Sequence, residues 1–148
     1  MSSEVLPHTP WTRVRTVLNW VNLSTVIGLS IAKIGGATII RRGRGTYLAS
    51  GYRWKFPDAS AFTVGSVIDS KHDLEWLLDR PVLLTHEDRH CTQYALVLGI
   101  LMLPVYFFFV GVSYVIAGDH SSYNPFERLA NLSDGGYPPP HTRFSKGA

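Results

Sequence analysis

Charged side chains are scarce in this 148-residue sequence: they make up 17% of it, whereas a soluble domain usually carries about 25%. The hydrophobic fraction of 45% excludes an intrinsically disordered chain, because disorder requires low hydrophobicity and high net charge. A single cysteine, Cys91, excludes an intrachain disulfide and a cysteine-rich zinc site. The net charge of +3 comes without a long basic block, which fits a membrane surface and leads us to expect no nucleic-acid partner.

Charge is absent altogether from two long stretches, and this predicts contact with a lipid membrane. Residues 95–117 contain no Asp, Glu, Lys, Arg or His, and their length meets the criterion of about 20 residues for a spanning helix. Residues 16–32 are also uncharged, but asparagine, serine and threonine make them less apolar. We therefore expect an integral or monotopic membrane protein.

The sequence predicts one α+β domain over residues 1–148, and its first half combines a helix with short strands. Residues 1–36 hold a polar arm over 1–10 and then a helix over 11–34. The apolar stripe of this helix recurs at spacings of three and four residues, at Trp11, Val14, Leu18, Val21 and Thr25. Residues 37–70 are rich in strand-forming residues between glycines and prolines. Two to four strands are predicted, at 38–40, 46–48, 52–56 and 61–68.

The second half is predicted to be helical. Residues 72–117 contain a motif helix from about Pro81 to Leu98 and then the apolar run. Residues 118–148 contain a short helix and a proline-rich polar tail. Asn124 and Pro125 begin that helix in the preferred way, with asparagine as the cap and proline at the first position.

The motif that indicates chemistry is H-E-x-x-H, at His86–His90. His86 and His90 are four residues apart, so they share one helix face and both reach one metal ion. Glu87 points to an adjacent edge of the site, where it can accept a proton from a metal-activated water. The alternative is that both histidines are ordinary surface residues on a charged helix.

A catalytic zinc site needs a third protein ligand, and the longer motif H-E-x-x-H-x-x-G-x-x-H is absent because position 93 is Gln and position 96 is Leu. The downstream candidates are Asp119, His120, Glu127, Asp134 and His141. Glu127 is the best placed, in the first turn of the predicted helix, and His120 is second. The alternative role for Glu127 is to interact favourably with the helix dipole.

These residues carry a resemblance to a known family. The segments Ala61–Gly65, Leu83–Tyr94 and Asn124–Ala130 resemble small bacterial zincin-like proteins. The arrangement is similar to that of gluzincins, in which a glutamate on a second helix completes the H-E-x-x-H site. The resemblance implies an α+β zincin-like domain at the bacterial cell membrane. It also implies that His86, His90 and Glu127 bind Zn²⁺ and that Glu87 is the general base.

Substrate contacts are less well specified by the sequence. Hydrolysis needs a second electrophile beside the zinc ion, and the donors near the motifs are Tyr123, Tyr137, Arg89 and Arg128. None of them is singled out, because tyrosines at such positions are usually packing residues. The predicted strand over 61–68 lies beside the motif helix either as an edge strand that holds an extended peptide or as an interior strand.

The membrane and the metal site constrain each other. A single straight helix over 95–117 would place the two histidines near one membrane face and Glu127 near the other. A turn at Gly99 and Pro104 would instead fold the run into a hairpin with both motif halves on one side. The alternative is a single span whose site is completed by Asp79, His72 or water.

Two functions remain open from the sequence. The first is a membrane-associated zinc hydrolase, specifically a metallopeptidase acting on a peptide or protein substrate. The second is a non-catalytic membrane protein, such as a subunit of a membrane complex or a scaffold, with a structural or vestigial metal site. An open coordination position favours the first, and a site closed by four protein ligands favours the second.

Overall fold

A computed structural model of the protein describes residues 9–43, 45–97 and 99–143, so most of the predicted polar arm and the end of the tail lie outside it. The described residues form an α+β fold, as the sequence predicts. The helices are α1 Pro10–Val21, α2 Ser24–Ile34, α3 Leu74–Leu78, α4 Pro81–Leu96, α5 Met102–Ala117 and α6 Pro125–Ala130, with a 3₁₀ turn at Gly99–Leu101. The strands are β1 Thr38–Arg42, β2 Thr46–Ser50, β3 Ala61–Val64 and β4 Val67–Ser70.

The four strands form one sheet in the order β1-β2-β4-β3. The predicted hairpin between β1 and β2 is confirmed, β2 and β4 pair in parallel, and β3 returns antiparallel to β4 as an edge strand. The prediction of one strand over 61–68 is wrong, because the chain reverses at Gly65, whose φ of +64° is in the left-handed region. The predicted strand at 52–56 is also absent, since residues 51–56 form neither strand nor helix. The Tyr52 amide donates to Ser70 at the end of β4, but the Arg53 amide donates to Gly35, which follows α2.

Helices cover both faces of this sheet. Val67 packs with Ala32 of α2, whereas the next residue, Ile68, packs with Leu77 of α3 and Leu84 of α4. Successive side chains of a strand point to opposite faces, so α2 lies on one face and α3 with α4 on the other. The helix that carries the H-E-x-x-H motif is therefore held against the sheet.

The N-terminal helix differs from its prediction in two respects. The chain breaks at Asn22 and Leu23, so α1 and α2 are separate helices bent by 76°. Leu23 sits at the break with a φ of +67°. The predicted apolar stripe is also mostly on the wrong side: Trp11, Val14, Leu18 and Val21 are 39–75% exposed. The buried side of α1 is instead polar.

A buried ion pair explains why the polar side of α1 is buried and its apolar side is exposed. The Arg15 guanidinium binds the Asp88 carboxylate of α4, with Nη1 2.8 Å from Oδ2, and the same nitrogen donates to the Asp88 carbonyl at 3.0 Å. One turn further on, the Asn19 amide donates to the Cys91 carbonyl at 2.9 Å. Both polar side chains are at most 2% exposed. Because polar contacts attach α1 to α4, the apolar side chains of α1 face outward.

Within the described residues, one helix, running from Gly99 to Ala117, is long and apolar enough to cross a membrane. An 18-residue window of this helix has a mean hydropathy of 2.2, and 17% of the window is buried. The chain turns at the first residue of this helix, Gly99, whose φ is +63°. Pro104 makes no turn, contrary to the prediction, because it lies in the first turn of α5, where proline is tolerated. The two helices that meet at the turn are therefore α4 and α5, and not two halves of the apolar run.

After α5 the chain doubles back along it. The Tyr123 amide donates to the Ser113 hydroxyl at 2.9 Å, and the Phe126 ring lies 6.1 Å from the Phe109 ring and 6.2 Å from the Tyr106 ring. This return brings α6, with Glu127, next to α4. The separation of the two motif halves that a lone spanning helix would cause does not occur.

Removing one partner of the buried ion pair tests its role. We expect Arg15→Met to lower the free energy of unfolding by about 3–5 kcal/mol, because Asp88 is left buried and unpaired. The double variant Arg15→Met with Asp88→Leu should recover most of that loss. Denaturant unfolding in detergent micelles, followed by circular dichroism, measures both, with Arg13→Met on the exposed side of α1 as the control. Equal stability of Arg15→Met and Arg13→Met would contradict the assignment.

Candidate metal centre

The three predicted metal ligands come together from two helices. His86 and His90 lie one turn apart on α4, and Glu127 lies in the first turn of α6. The predicted start of α6 is confirmed, since the Asn124 side chain accepts a hydrogen bond from the Phe126 amide. His86, His90 and Glu127 are 0%, 7% and 2% exposed, so the reading of the histidines as surface residues is wrong. This buried group can hold a metal ion.

The three potential ligand atoms form a triangle of the size that zinc requires. His86 Nε2 lies 3.1 Å from His90 Nε2 and 3.1 Å from Glu127 Oε2, and His90 Nε2 lies 3.4 Å from Glu127 Oε2. Two atoms bound to a tetrahedral zinc ion at about 2.0–2.1 Å are roughly 3.3 Å apart. The triangle therefore matches one face of a tetrahedral coordination sphere.

The other nitrogen of each histidine is bound to the protein. His86 Nδ1 lies 2.9 Å from the Asn131 carbonyl and 3.1 Å from the Ala130 carbonyl, so it must be the protonated nitrogen. His90 Nδ1 lies 2.8 Å from Gln93 Oε1, and the Gln93 amide is oriented by its own donation to the Phe126 carbonyl at 2.8 Å. In the neutral form of each histidine, Nε2 therefore directs a lone pair at the same place as the Glu127 oxygen.

Three electron-pair donors facing one point attract a positive charge. Burial opposes the charged form of His90, but the hydrogen bond and the charge of Glu127 outweigh it and raise the pKa of His90 to about 9. Burial likewise opposes the Glu127 carboxylate, yet hydrogen bonding to His86 and His90, with a proton on Nε2, holds the pKa of Glu127 well below its ordinary value. The site therefore attracts a cation, either a proton or a metal ion.

Glu87 lies beside this group and is not part of it. Its Oε2 accepts a hydrogen bond from the Thr63 hydroxyl of β3 at 2.7 Å. Burial raises the pKa of Glu87 above its ordinary value, although attraction to His90 and His86 opposes the rise. The Thr63 hydroxyl therefore holds the Glu87 carboxylate within electrostatic reach of the two histidines.

The other candidate residues have different partners. Asp119 pairs with His141 at 3.3 Å, and Asp134 pairs with Arg89 at 2.7 Å. The His120 ring lies against Tyr137 at 5.0 Å. His72 stacks on Trp76, Asp79 caps the end of α3, and Arg128 lies 5.8 Å above the Tyr123 ring. Among the described residues, Glu127 alone of these candidates joins the two histidines.

Two aromatic residues complete the site, and only one was considered from the sequence. The Tyr106 hydroxyl donates a short hydrogen bond to Glu127 Oε1, which leaves Oε2 free to face the histidines. The Tyr137 ring lies 5.8 Å from the His86 ring and also lines a cavity of about 360 Å³ with Pro138–Pro140. The sequence did not indicate Tyr106 as a site residue, because it stands within the apolar run. Its hydroxyl group, which is polar in an apolar segment, was the one available signal.

Gly135 covers His86. A Cβ atom on this glycine would lie 2.7 Å from His86 Cε1 and 2.9 Å from Nε2, closer than real contacts allow. The tail segment 131–137 is held there by the pairing of Asp134 with Arg89 and by the Tyr137 amide, which donates to Leu132 at 2.9 Å. The backbone of the tail therefore packs directly on the metal-facing side of the ring.

Comparison with known proteins adds nothing to this geometry: the chain matches no family model, no curated protein and no solved structure. The zincin-like assignment therefore stays a prediction that rests on the residues themselves.

Metal analysis tests the centre directly. Purified protein should contain about one zinc ion per chain after dialysis against zinc and then buffer. His86→Ala, His90→Ala and Glu127→Ala should each lose it, because two remaining ligands bind weakly. His120→Ala and His141→Ala are matched controls that should retain it, measured by inductively coupled plasma mass spectrometry. Equal zinc in all five variants would rule out this site.

The close contact of Gly135 gives a second prediction. Gly135→Ala should weaken zinc binding by about tenfold or more, because the added methyl group displaces the His86 ring from its position. Gly111→Ala is the control, since nothing lies within 4 Å of the added atom there. Competition with a fluorescent zinc chelator measures the affinities. An unchanged affinity for Gly135→Ala would mean that the tail does not contact the ring in solution.

Proposed function

We propose that this protein is a membrane-associated zinc-dependent hydrolase, most specifically a metallopeptidase. The observation that carries the proposal is the convergence of His86 Nε2, His90 Nε2 and Glu127 Oε2 on one point, with both Nδ1 atoms already bound to the protein. Nitrogen and carboxylate ligands in a tetrahedral arrangement are those that zinc prefers.

The residues around this point support hydrolysis. A bound zinc ion supplies a Lewis acid and lowers the pKa of a coordinated water to about 7. Glu87 accepts the proton from the attacking water, and burial makes its carboxylate more basic. The Thr63 hydroxyl orients that carboxylate, and the Tyr106 hydroxyl holds the second oxygen of Glu127 away from the ligand position.

The number of ligands supports a catalytic rather than a structural site. Three donor atoms converge within the part of the chain that the structure describes. Catalytic zinc sites keep three protein ligands and an open position, whereas structural sites are closed by four. An edge strand next to the motif helix supports a peptide substrate, because β3 can pair with an extended chain on its free side.

The membrane association is proposed to be monotopic and on the cell membrane of a bacterium. Apolar side chains of α1 and α5 are exposed, which is unfavourable in water. The returning segment 119–124, however, contains Asp119, His120 and two serines and lies alongside the C-terminal half of α5. A crossing by α5 would carry these polar groups into the hydrocarbon.

One observation favours the alternative, a non-catalytic subunit or scaffold of a membrane complex. The ligands are nearly inaccessible to water, and Gly135 covers His86. A substrate must displace the tail segment 131–137 to reach the site. Activity in the presence of bound zinc distinguishes the two functions.

Glu87→Gln is the decisive variant. It should keep the zinc ion, since Glu87 is not a ligand, and lower hydrolysis of a fluorogenic peptide library by about 10²–10⁴-fold. The exposed Glu75→Gln on α3 is the control. Loss of zinc from Glu87→Gln would make Glu87 structural. Full zinc in the wild type without cleavage of any peptide would favour the scaffold.

A further inference from the structure

We infer that two adjoining helix junctions insert together into one leaflet of a lipid bilayer. The first is the junction of α1 with α2, and the second is the turn between α4 and α5. Their outward side chains are Val21, Leu23, Leu96, Ile100 and Leu101, which we call the apolar tip. The inference deepens the membrane association proposed above by naming the part that enters the lipid.

The apolar tip is exposed to an extent that is unusual for such side chains. The exposed fractions are 75% for Val21, 66% for Leu96 and 59% for Leu23. Ile100 and Leu101, in the 3₁₀ turn, are 55% and 51% exposed. No charged residue occurs between 16 and 32 or between 95 and 117. The exposed apolar surface continues along α1 and α5, so it extends over more than one element.

Asn22 joins the two junctions from within. Its side-chain amide donates to the Tyr94 carbonyl of α4 at 3.1 Å, and its oxygen accepts from the Ser24 hydroxyl at 2.7 Å. Gly99 packs against this amide so closely that a Cβ atom there would collide with it. The polar group at the centre of the apolar tip is therefore turned inward and bonded.

Four backbone hydrogen bonds at the junctions are also made within the protein, which lowers the cost of placing these groups in hydrocarbon. The amides of Asn22 and Leu23 donate to Leu18 and Trp20, the Val97 amide donates to Gln93, and the Leu23 carbonyl accepts from Ile27. Leu23 itself holds a left-handed conformation that glycine or asparagine usually occupies. A leucine directed outward at such a position is unfavourable in water and favourable in lipid.

The charges that flank the apolar tip fit one leaflet. Arg13 is eight residues before Val21, or about 12 Å along α1, and Lys33 is ten residues after Leu23, or about 15 Å along α2. Both are exposed. Half the hydrocarbon core of a bilayer is about 15 Å, and the 76° bend between α1 and α2 makes at least one of these two depths smaller than the length along its helix. Both cations can therefore reach anionic headgroups when the tip enters the outer part of one leaflet. This spacing favours lipid over a protein partner or a second copy of the chain.

The metal centre would then lie on the headgroup side of the apolar tip. His90 is six residues before Leu96, which is about 9 Å along α4. If the site is a peptidase, as proposed above, its substrate class is a membrane-anchored polypeptide cleaved close to the point where it leaves the bilayer. That last step alone depends on the proposed activity.

Depth-dependent quenching tests the apolar tip. Single variants Leu23→Cys, Ile100→Cys and Leu129→Cys are labelled with the fluorophore NBD, while the native Cys91 is fully buried. Leu129 is the matched control, an exposed leucine on α6. The protein is reconstituted in vesicles of three parts phosphatidylcholine to one part phosphatidylglycerol, with nitroxide either midway along the acyl chain or on the headgroup. The acyl-chain nitroxide should quench the labels at 23 and 100 at least twofold more than the headgroup nitroxide does. Neither nitroxide should quench the label at 129.

Several outcomes would overturn the inference. Quenching of labels 23 and 100 by aqueous iodide, as strong as that of label 129, would place the tip in water. Protection from iodide without quenching by lipid would indicate a protein partner or a second copy. Labelling of position 100 from the opposite side of the vesicle would show a crossing. Zinc content is measured on the same samples, so an absent metal with a lipid-inserted tip refutes the proposed function alone.

Discussion

The arrangement of α4 and α6 depends on one constraint. Two histidine nitrogens and one glutamate oxygen direct their electron pairs at the same point in a buried site. Two imidazole nitrogens and a carboxylate oxygen within 3.4 Å of one another repel unless a cation lies among them. The protein holds them there because the opposite side of each imidazole is bonded to a carbonyl or an amide oxygen. The fold thus creates a site that favours a positive charge, either a proton or a metal ion.

The contacts that orient the histidines are the same contacts that attach α6 to α4. Gln93 accepts a hydrogen bond from His90 and donates one to the Phe126 carbonyl, while His86 donates to the carbonyls at the end of α6. Tyr106 binds Glu127 from α5, so three helices share one network. A change in the packing of any of these helices therefore alters the ligand geometry, even where the ligands themselves are unchanged.

Local patterns in the sequence predicted the parts of this structure that depend on local interactions. The H-E-x-x-H spacing and the Asn124-Pro125 start of α6 are examples, and so is the hairpin between β1 and β2. The break at Leu23 was not predicted, because leucine rarely adopts a left-handed conformation. The inverted face of α1 depends on Asp88, which is 73 residues from Arg15 in sequence. A helical stripe carries no information about such a distant partner.

A metal ion at this centre would also act as a cross-link. His86 and Glu127 are 41 residues apart in sequence, and the loop between them contains all of α5. Closing a loop of that length by a covalent bridge removes about 4 kcal/mol of chain entropy from the unfolded state. Binding of the metal would therefore fasten the apolar helix to the rest of the domain, and its removal would loosen a quarter of the chain together with the site.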